Sequence, residues 1–296
     1  MTELTDLIDG FFESRKTCSP NEFKPETKRA YRTDISDFVS SLDAGTTSLS
    51  QVKEEDTKQY FRTTKWNLRT KLRKKSALNS FYAYLKDRSI VTDNPFNYLT
   101  RNISYKERLQ QFVTHEEFDK LIKCNLPLKK GYHTNNTARD RAVLALMYGF
   151  GLKKGVIESL RSGSLVKTQD NSKTPDDSIS CNSEEFEIYE FKTIKPRFIL
   201  VRKEFSIIYE AYASTTSDHD VPLIAKEAAE DCLHTRTISR VIEKWSASAS
   251  VRANPESLRN GYIVDLVNAG INTKLIAEYV GIKYLALQQK CLFLGI

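Results

Sequence analysis

Apolar residues recur at helical spacing through the first hundred positions of the chain. Pro25, Gly45 and Pro95 interrupt this pattern where helices are expected to end or begin. The pattern predicts four amphipathic helices, at 2–15, 25–42, 53–64 and 66–88. Because their apolar faces can share one core, we predict a small all-helical domain.

The pattern after residue 112 predicts a second, mainly helical domain with one β-hairpin. Thr114 and Glu117 have the spacing of a capping box, which places a helix at 115–124. The segments EFEIYEF and RFILV are rich in β-branched and aromatic residues, and they flank a basic turn from Lys192 to Pro196. The other helical segments are ARDRAVLALMYGFGL, KKGVIESLRSGSL, 203–213, 224–231, 235–247, 255–268 and 272–280. The polar stretch 166–184 has no periodicity and predicts a loop.

A polar, basic segment separates the two patterned regions. Residues 97–112 read NYLTRNISYKERLQQF, a composition that is typical of a linker and that suits contact with a phosphate backbone. We therefore predict a mainly α fold with a small β-hairpin or sheet. The predicted parts are a helical N-terminal domain at 1–96, a linker at 97–112 and a second domain at 113–296.

The charge balance favours a polyanionic partner. The 296 residues include 45 Lys and Arg against 38 Asp and Glu, a formal net charge of +7. The basic residues are dense at the start of the helix predicted at 66–88. The candidate DNA contacts there are Arg69, Lys71, Arg73, Lys74 and Lys75. The alternative interpretation of this run is a solvated helix face without a partner.

Cysteine usage and hydropathy indicate the compartment. Five cysteines lie far apart without a C-x-x-C pair, which argues against a disulfide framework and for a reducing environment. The N-terminus is acidic where a signal peptide is basic, and no apolar run reaches the ~18 residues of a membrane span. We therefore predict a cytoplasmic protein without a membrane segment.

Common cofactor and hydrolase motifs are absent from the sequence. The four histidines show no recognised metal-ligand spacing with each other or with cysteine, so we predict no metal. No nucleotide-binding glycine motif occurs, and the glycines of YGFGLKKG fall at a helix end. No nucleophile elbow of the G-x-S-x-G type is present either. We predict no cofactor.

Two segments resemble the tyrosine recombinase (phage integrase) family. ARDRAVLALMYGFGLKKGVIESLRSGSL is similar to that family's pattern R-D-x-A, an apolar run and then T-G-L-R-x-S-E-L. NPESLRNGYIVDLVNAGINTKLIAEYVGIKYLALQQKCLF is similar to its pattern P-H-x-L-R, L-G-H and Tyr. The resemblance implies a core-binding helical domain at 1–96, a catalytic domain at 113–296 and double-stranded DNA as partner. It also implies site-specific DNA integration or recombination for a mobile element or virus, with a homo-oligomer on DNA.

The chemistry of that family defines the site residues that the resemblance implies. Cleaving a phosphodiester through a phosphotyrosine needs a nucleophile and cations around the transition state, because negative charge spreads over the non-bridging oxygens. Lys192 matches the hairpin lysine that serves as general acid, with Lys195 as a second candidate, and Arg259 matches the second arginine. Four other family positions are substituted: Lys153 for the first arginine, Glu256 and Ile282 for two histidines, and Cys291 for the tyrosine.

Three functional hypotheses follow. The first is a DNA-binding protein of recombinase ancestry with impaired catalysis, since thiolates attack phosphodiesters poorly while phosphate contacts can survive elsewhere. The second is an active integrase with a non-standard nucleophile, either Cys291 or Tyr284, which lies seven residues earlier. The third is a helical protein-interaction module with an incidental basic character.

Overall fold

The chain forms two compact units, each with its own hydrophobic core. The computed structural model describes residues 2–18, 23, 25–42, 48–63, 65–97, 111–124, 134–168, 185–192, 196–215, 221–225 and 231–296. The N-terminal unit is Met1–Lys106 and the C-terminal unit is Glu107–Ile296. Most of the predicted linker lies outside the described residues.

The N-terminal unit contains the four predicted helices. They are α1 (Thr2–Cys18), α2 (Pro25–Ser40), α3 (Glu54–Thr63) and α4 (Leu68–Asp87), with a short 3₁₀ helix at Leu49–Gln51. Their core is aromatic: Phe38 packs on Phe96 with ring centroids 5.2 Å apart, and both are fully buried. Asn67 caps α4 by accepting a hydrogen bond from the Thr70 amide at 2.8 Å.

Eight helices surround a small sheet in the described part of the C-terminal unit. They are α5 (His115–Lys123), α6 (Thr134–Tyr148), α7 (Lys154–Glu158), α8 (Lys203–Ala213), α9 (Thr235–Ala249), α10 (Pro255–Asn268), α11 (Thr273–Val280) and α12 (Tyr284–Leu294). The predicted capping box at the start of α5 is confirmed. Thr114 accepts from the Glu117 amide, and the Glu117 carboxylate accepts from the Thr114 amide.

The sheet is antiparallel in the order β1 (Leu165–Lys167), β2 (Phe186–Phe191) and β3 (Arg197–Arg202). Strands β2 and β3 confirm the predicted hairpin. The predicted loop at 166–184 is wrong at its first residues, because Val166 pairs with Glu190 and Lys167 with Tyr189 in β1. A strand of three residues is too short to show alternation in the sequence.

Two helix predictions also differ from the structure. The predicted helix at 224–231 is wrong at Ala225, which forms a β-bridge with Cys232. Helix α12 was not predicted, since apolar residues occur on its exposed side as well as its buried side. Leu287 and Leu294 are buried, whereas Leu285 and Leu292 are 68% and 74% exposed. This distribution hides the helical periodicity.

The observed architecture confirms the predicted fold class, mainly α with a small β-sheet. Among the described segments, no helix has both the length and the apolar content needed to cross a bilayer.

Candidate functional site

Arg259 is anchored to backbone carbonyls at the centre of the C-terminal unit. It lies on α10, where its Nε donates to the Gly151 carbonyl at 2.7 Å and its Nη2 donates to the Val280 carbonyl at 2.8 Å. Burial, together with the nearby charge of Arg197, lowers the pKa of Arg259 to about 10. The guanidinium therefore stays positively charged at neutral pH.

The turn that supplies the Gly151 carbonyl depends on glycine. Gly151 has a φ of +62°, and a Cβ there would lie 2.3 Å from the ring of Tyr262. Tyr262 is itself fixed, since its hydroxyl donates to the Leu200 carbonyl at 2.8 Å. A side chain at position 151 would thus displace either the turn or the tyrosine.

Arg197 is a second anchored arginine, and the sequence analysis did not identify it. It begins β3, directly after the basic turn, and its Nε donates to the Tyr279 carbonyl at 3.0 Å. Its guanidinium also lies 4.6 Å from the ring centroid of Phe191. Arg197 and Arg259 therefore bind consecutive carbonyls at the C-terminal end of α11, where the helix dipole favours positive charge.

Lys290 joins these arginines from α12. Its side chain is 16% exposed, and its Nζ lies 3.8 Å from Oε1 of Glu256. Burial lowers the pKa of Lys290, and the positive charges of Arg259 and Lys153 lower it further. The negative charge of Glu256 acts in the opposite direction and raises this pKa. Lys153 occupies the N-cap position of α7, without a capping hydrogen bond from its side chain, and is exposed. We call Lys153, Arg197, Arg259 and Lys290 the cationic cluster.

Cys291, which the sequence resemblance assigns to the nucleophile position, lies on α12 next to Lys290. The residue is half-buried and packs against the core of the unit. Burial raises the pKa of the Cys291 thiol, and the charge of Lys290 only partly opposes this. The thiol is therefore protonated at neutral pH and poorly nucleophilic.

Tyr284 lies at the other end of α12, in its first turn. It is 39% exposed, and its hydroxyl accepts a hydrogen bond from Nε2 of Gln288 at 3.0 Å.

A cleft of about 590 Å³ lies between β3 and the turn that joins α11 to α12. Arg197 and Ile282 line it, so the residue that the resemblance predicts in place of a family histidine gives this cleft an apolar side chain. Glu190 also lines the cleft and forms an ion pair with Lys192 at 3.8 Å. Lys192 is exposed beside the cleft, whereas Lys195 lies outside the described residues.

The basic residues of α4 differ from their predicted role as a group of DNA contacts. Lys74 is 3% exposed, with its Nζ 3.0 Å from Asp34 and 2.8 Å from Asp37. Its ammonium also lies 4.6 Å from the ring centroid of Trp66. Arg73 forms a further ion pair with Asp34. In this arrangement the ammonium of Lys74 is not accessible to a phosphate, because it is a buried part of the packing between α2 and α4.

The other three candidates on α4 are closer to the surface. Arg69 is exposed, and Lys71 donates to the Phe61 carbonyl at 3.1 Å. Partial burial lowers the pKa of Lys75. The predicted run of five cations therefore offers its outer members for contact and keeps Lys74 inside.

Comparison with known proteins connects both units to one family. The profile of the phage integrase N-terminal SAM-like domain matches residues 19–89. The tyrosine recombinase XerC of Listeria innocua is 26% identical over 287 residues, covering 89% of this chain and 85% of that protein. XerC of Listeria welshimeri is 28% identical over 275 residues with the same coverage.

Solved structures share the fold. A Tn1549 transposon integrase in complex with a circular intermediate DNA has a TM-score of 0.66 at 12% identity, covering 96% of this chain and 94% of that one. A lambda integrase dimer bound to a COC' core site has a TM-score of 0.64 at 14% identity, covering 97% and 76%. The N-terminal unit thus matches the phage integrase SAM-like domain, and the chain is similar to tyrosine recombinases along most of its length.

Proposed function

We propose that this protein binds double-stranded DNA through a recombinase scaffold and does not cleave it efficiently. The observation that carries the proposal is the geometry around Arg259: Cys291 is half-buried against the core, while Arg259 and Arg197 are held in place by backbone carbonyls. The first feature removes the nucleophile, and the second keeps the charge that attracts a phosphate backbone. The origin that we propose is a mobile element or virus, as the sequence resemblance implies.

Strand cleavage and DNA binding depend on different energetic contributions. Strand cleavage needs donors placed around the transition state, and losing one such donor costs about 2.7–4 kcal/mol. Glu256 and Ile282 stand where two family histidines are expected, so the cost accumulates over several positions. DNA binding depends mainly on the number of phosphate charges that are neutralised, and Lys153 and Lys290 contribute to it without special geometry.

Glu256 needs a separate account, because a carboxylate repels phosphate. Its oxygen lies 3.8 Å from Lys290, which offsets its charge locally. We propose that Lys290 serves as the phosphate-binding cation on this side of the centre and that Glu256 weakens it. The two residues should then affect DNA binding in opposite directions.

A trapping assay tests the proposal directly. The full chain is mixed with nicked duplex DNAs that release their leaving strand, and both a denaturing and a native gel are run. We expect a mobility shift without a covalent adduct. An adduct that maps to Cys291 or Tyr284 would overturn the proposal and establish an active integrase. The absence of both signals would favour a protein-interaction module.

The salt dependence of binding tests the assigned contacts. Lys290→Gln should lower the slope of log affinity against log salt by about one, since one phosphate contact is lost. Glu256→Gln should tighten DNA binding. If the ion pair between Lys290 and Glu256 had only a structural role, both variants would instead bind DNA more weakly. Lys123→Gln is the matched control, because this lysine is 74% exposed on α5 beside Asp119. Equal slopes in all variants would contradict the assignment.

We also propose that copies of the chain assemble on DNA. The lambda integrase of similar fold is a dimer on its core site, which supports this proposal. Sedimentation with duplexes that carry one or two binding sites would test it, and a single copy on every duplex would contradict it.

A further inference from the structure

Three metal-ligating side chains meet on the surface of the C-terminal unit, and the function proposed above uses none of them. Glu158, Cys232 and His234 place a carboxylate oxygen, a sulfur and a ring nitrogen all within 4.8 Å of one another. Nδ1 of His234 lies 2.8 Å from Oε1 of Glu158. The sequence does not reveal this set of three ligands, because Glu158 is far from Cys232 and His234 along the chain.

Backbone structure fixes all three positions. Leu233 is 1% exposed and donates its amide to the Ile224 carbonyl at 2.8 Å, while Cys232 forms a β-bridge with Ala225. In such an extended segment alternate residues share a face, so Cys232 and His234 point to the side opposite the buried Leu233. His234 is also the N-cap of α9, and Glu158 is the last residue of α7.

The donor set selects a class of ion. One thiolate, one imidazole and one carboxylate suit a borderline ion such as Zn²⁺, whereas Mg²⁺ and Ca²⁺ prefer oxygen ligands throughout. Zinc-to-ligand bonds of about 2.0–2.3 Å in a tetrahedron place donor atoms roughly 3.3–3.7 Å apart. The existing donors reach that spacing if Glu158 and His234 separate slightly and the sulfur moves inward.

We propose that Glu158, Cys232 and His234 bind one zinc-class divalent ion, with water as the fourth ligand. The side chains of Glu158 and His234 are 29% and 62% exposed, so the open position faces solvent. Deprotonation of the Cys232 thiol releases one proton as the ion binds. The ion would tie the end of α7 to the segment before α9, next to the contact that Lys154 already makes with Ser239 at 3.2 Å.

Cobalt titration tests the site on the full chain, because Co²⁺ replaces Zn²⁺ and reports its ligands by absorption. We expect one equivalent to produce a thiolate-to-metal charge-transfer band and the visible bands of a tetrahedral site, and Zn²⁺ to displace both. Cys232→Ser should remove the charge-transfer band, while the matched Cys124→Ser should retain it, since Cys124 is also free and half-buried. Glu158→Gln and His234→Ala should each weaken binding at least about tenfold.

A second measurement needs no variant. Zn²⁺ should protect Cys232 of the wild-type chain from alkylation and leave Cys124 reactive, as mass spectrometry of labelled peptides would show. Failure of Co²⁺ to give a charge-transfer band, or its persistence in Cys232→Ser, would overturn the proposal. Equal binding by His234→Ala and the wild type would do the same and would leave a simple His–Glu ion pair. None of these results depends on DNA binding.

Discussion

Helix α4 of the N-terminal unit and the cationic cluster of the C-terminal unit hold their positive charges in different ways. Lys74 and Arg73 pair with the carboxylates of Asp34 and Asp37, so their positive charge is largely cancelled by these neighbours. Arg259 and Arg197 instead donate to backbone carbonyls, which carry no net charge. A basic run in a sequence is therefore a poor guide to a basic surface, because the partner of each cation decides how much field remains.

This difference predicts that a few substitutions can restore strand cleavage in the C-terminal unit. In the C-terminal unit backbone carbonyls hold Arg259 in place, and the sequence resemblance predicts four substituted positions in the same unit. The largest effect is expected from the combined variant Lys153→Arg, Glu256→His, Ile282→His and Cys291→Tyr. Each restored group is worth about 2–4 kcal/mol in the transition state, so cleavage should rise by at least about a thousandfold.

Covalent adduct formation on nicked DNA measures this restoration. The matched control carries the same three changes with Cys291→Phe, which has the ring without the nucleophilic oxygen and should form no adduct. The prediction is contradicted if the variant with all four changes folds and binds DNA but does not cleave it. The carbonyl-anchored arginines would then not be sufficient for cleavage, and the comparison between the two units would not predict activity.

A smaller effect is expected in the N-terminal unit from Lys74→Met. Removing the ammonium leaves the buried carboxylate of Asp34 with Arg73 alone and takes from Asp37 its partner. Breaking a buried ion pair costs at most about 3–5 kcal/mol, and the retained Arg73 keeps the loss at or below the lower end of that range. Hydrogen exchange in the full chain should show faster exchange in α2 and α4, with α10 as internal reference.

Lys86→Met is the control for that loss of stability. Lys86 and its partner Asp93 are exposed at a separation of 3.3 Å, so the expected change is below about 1 kcal/mol. Unchanged protection in Lys74→Met, together with a reduced salt slope of DNA binding, would contradict the comparison. Lys74 would then be a phosphate contact after all.

The smallest effect concerns the thiol of Cys291. The charge of Lys290 stabilises its thiolate, so Lys290→Met should raise the pKa of Cys291 further. At a fixed pH below that pKa, the alkylation rate of Cys291 should fall by roughly twofold, and the pH–rate profile should move to higher pH. Lys123→Met should leave the profile unchanged. Faster alkylation in Lys290→Met would show that Lys290 shields the sulfur and does not charge it.

Long periodic elements were accessible from the sequence, and short or paired ones were not. The four N-terminal helices and the capping box at Thr114 follow from local patterns of residues. Strand β1 exists only through its pairing with β2, and α12 carries apolar residues on all sides, so neither has a local signal.

The residues of the site also differ in whether a local sequence pattern indicates them. Arg259 and the substituted positions are predictions from two motifs, each of which is continuous in sequence. Arg197 and Lys290 could not be predicted in this way, since their importance depends on carbonyls and charges that come from distant elements. The sequence predicts a DNA contact at Lys74 because its partners, the buried Asp34 and the exposed Asp37, lie on another helix.

The turn at Gly151 has a consequence for how such a protein changes over generations. A side chain at position 151 collides with Tyr262, so most substitutions there are removed by their cost to folding. Lys153, two positions later, is exposed, and its identity can vary at little cost to stability. Exposed residues near Arg259 can therefore change one by one, while the cost of substitution at Gly151 preserves the turn that holds the arginine. A few substitutions would then be enough to restore an activity that is lost in this way.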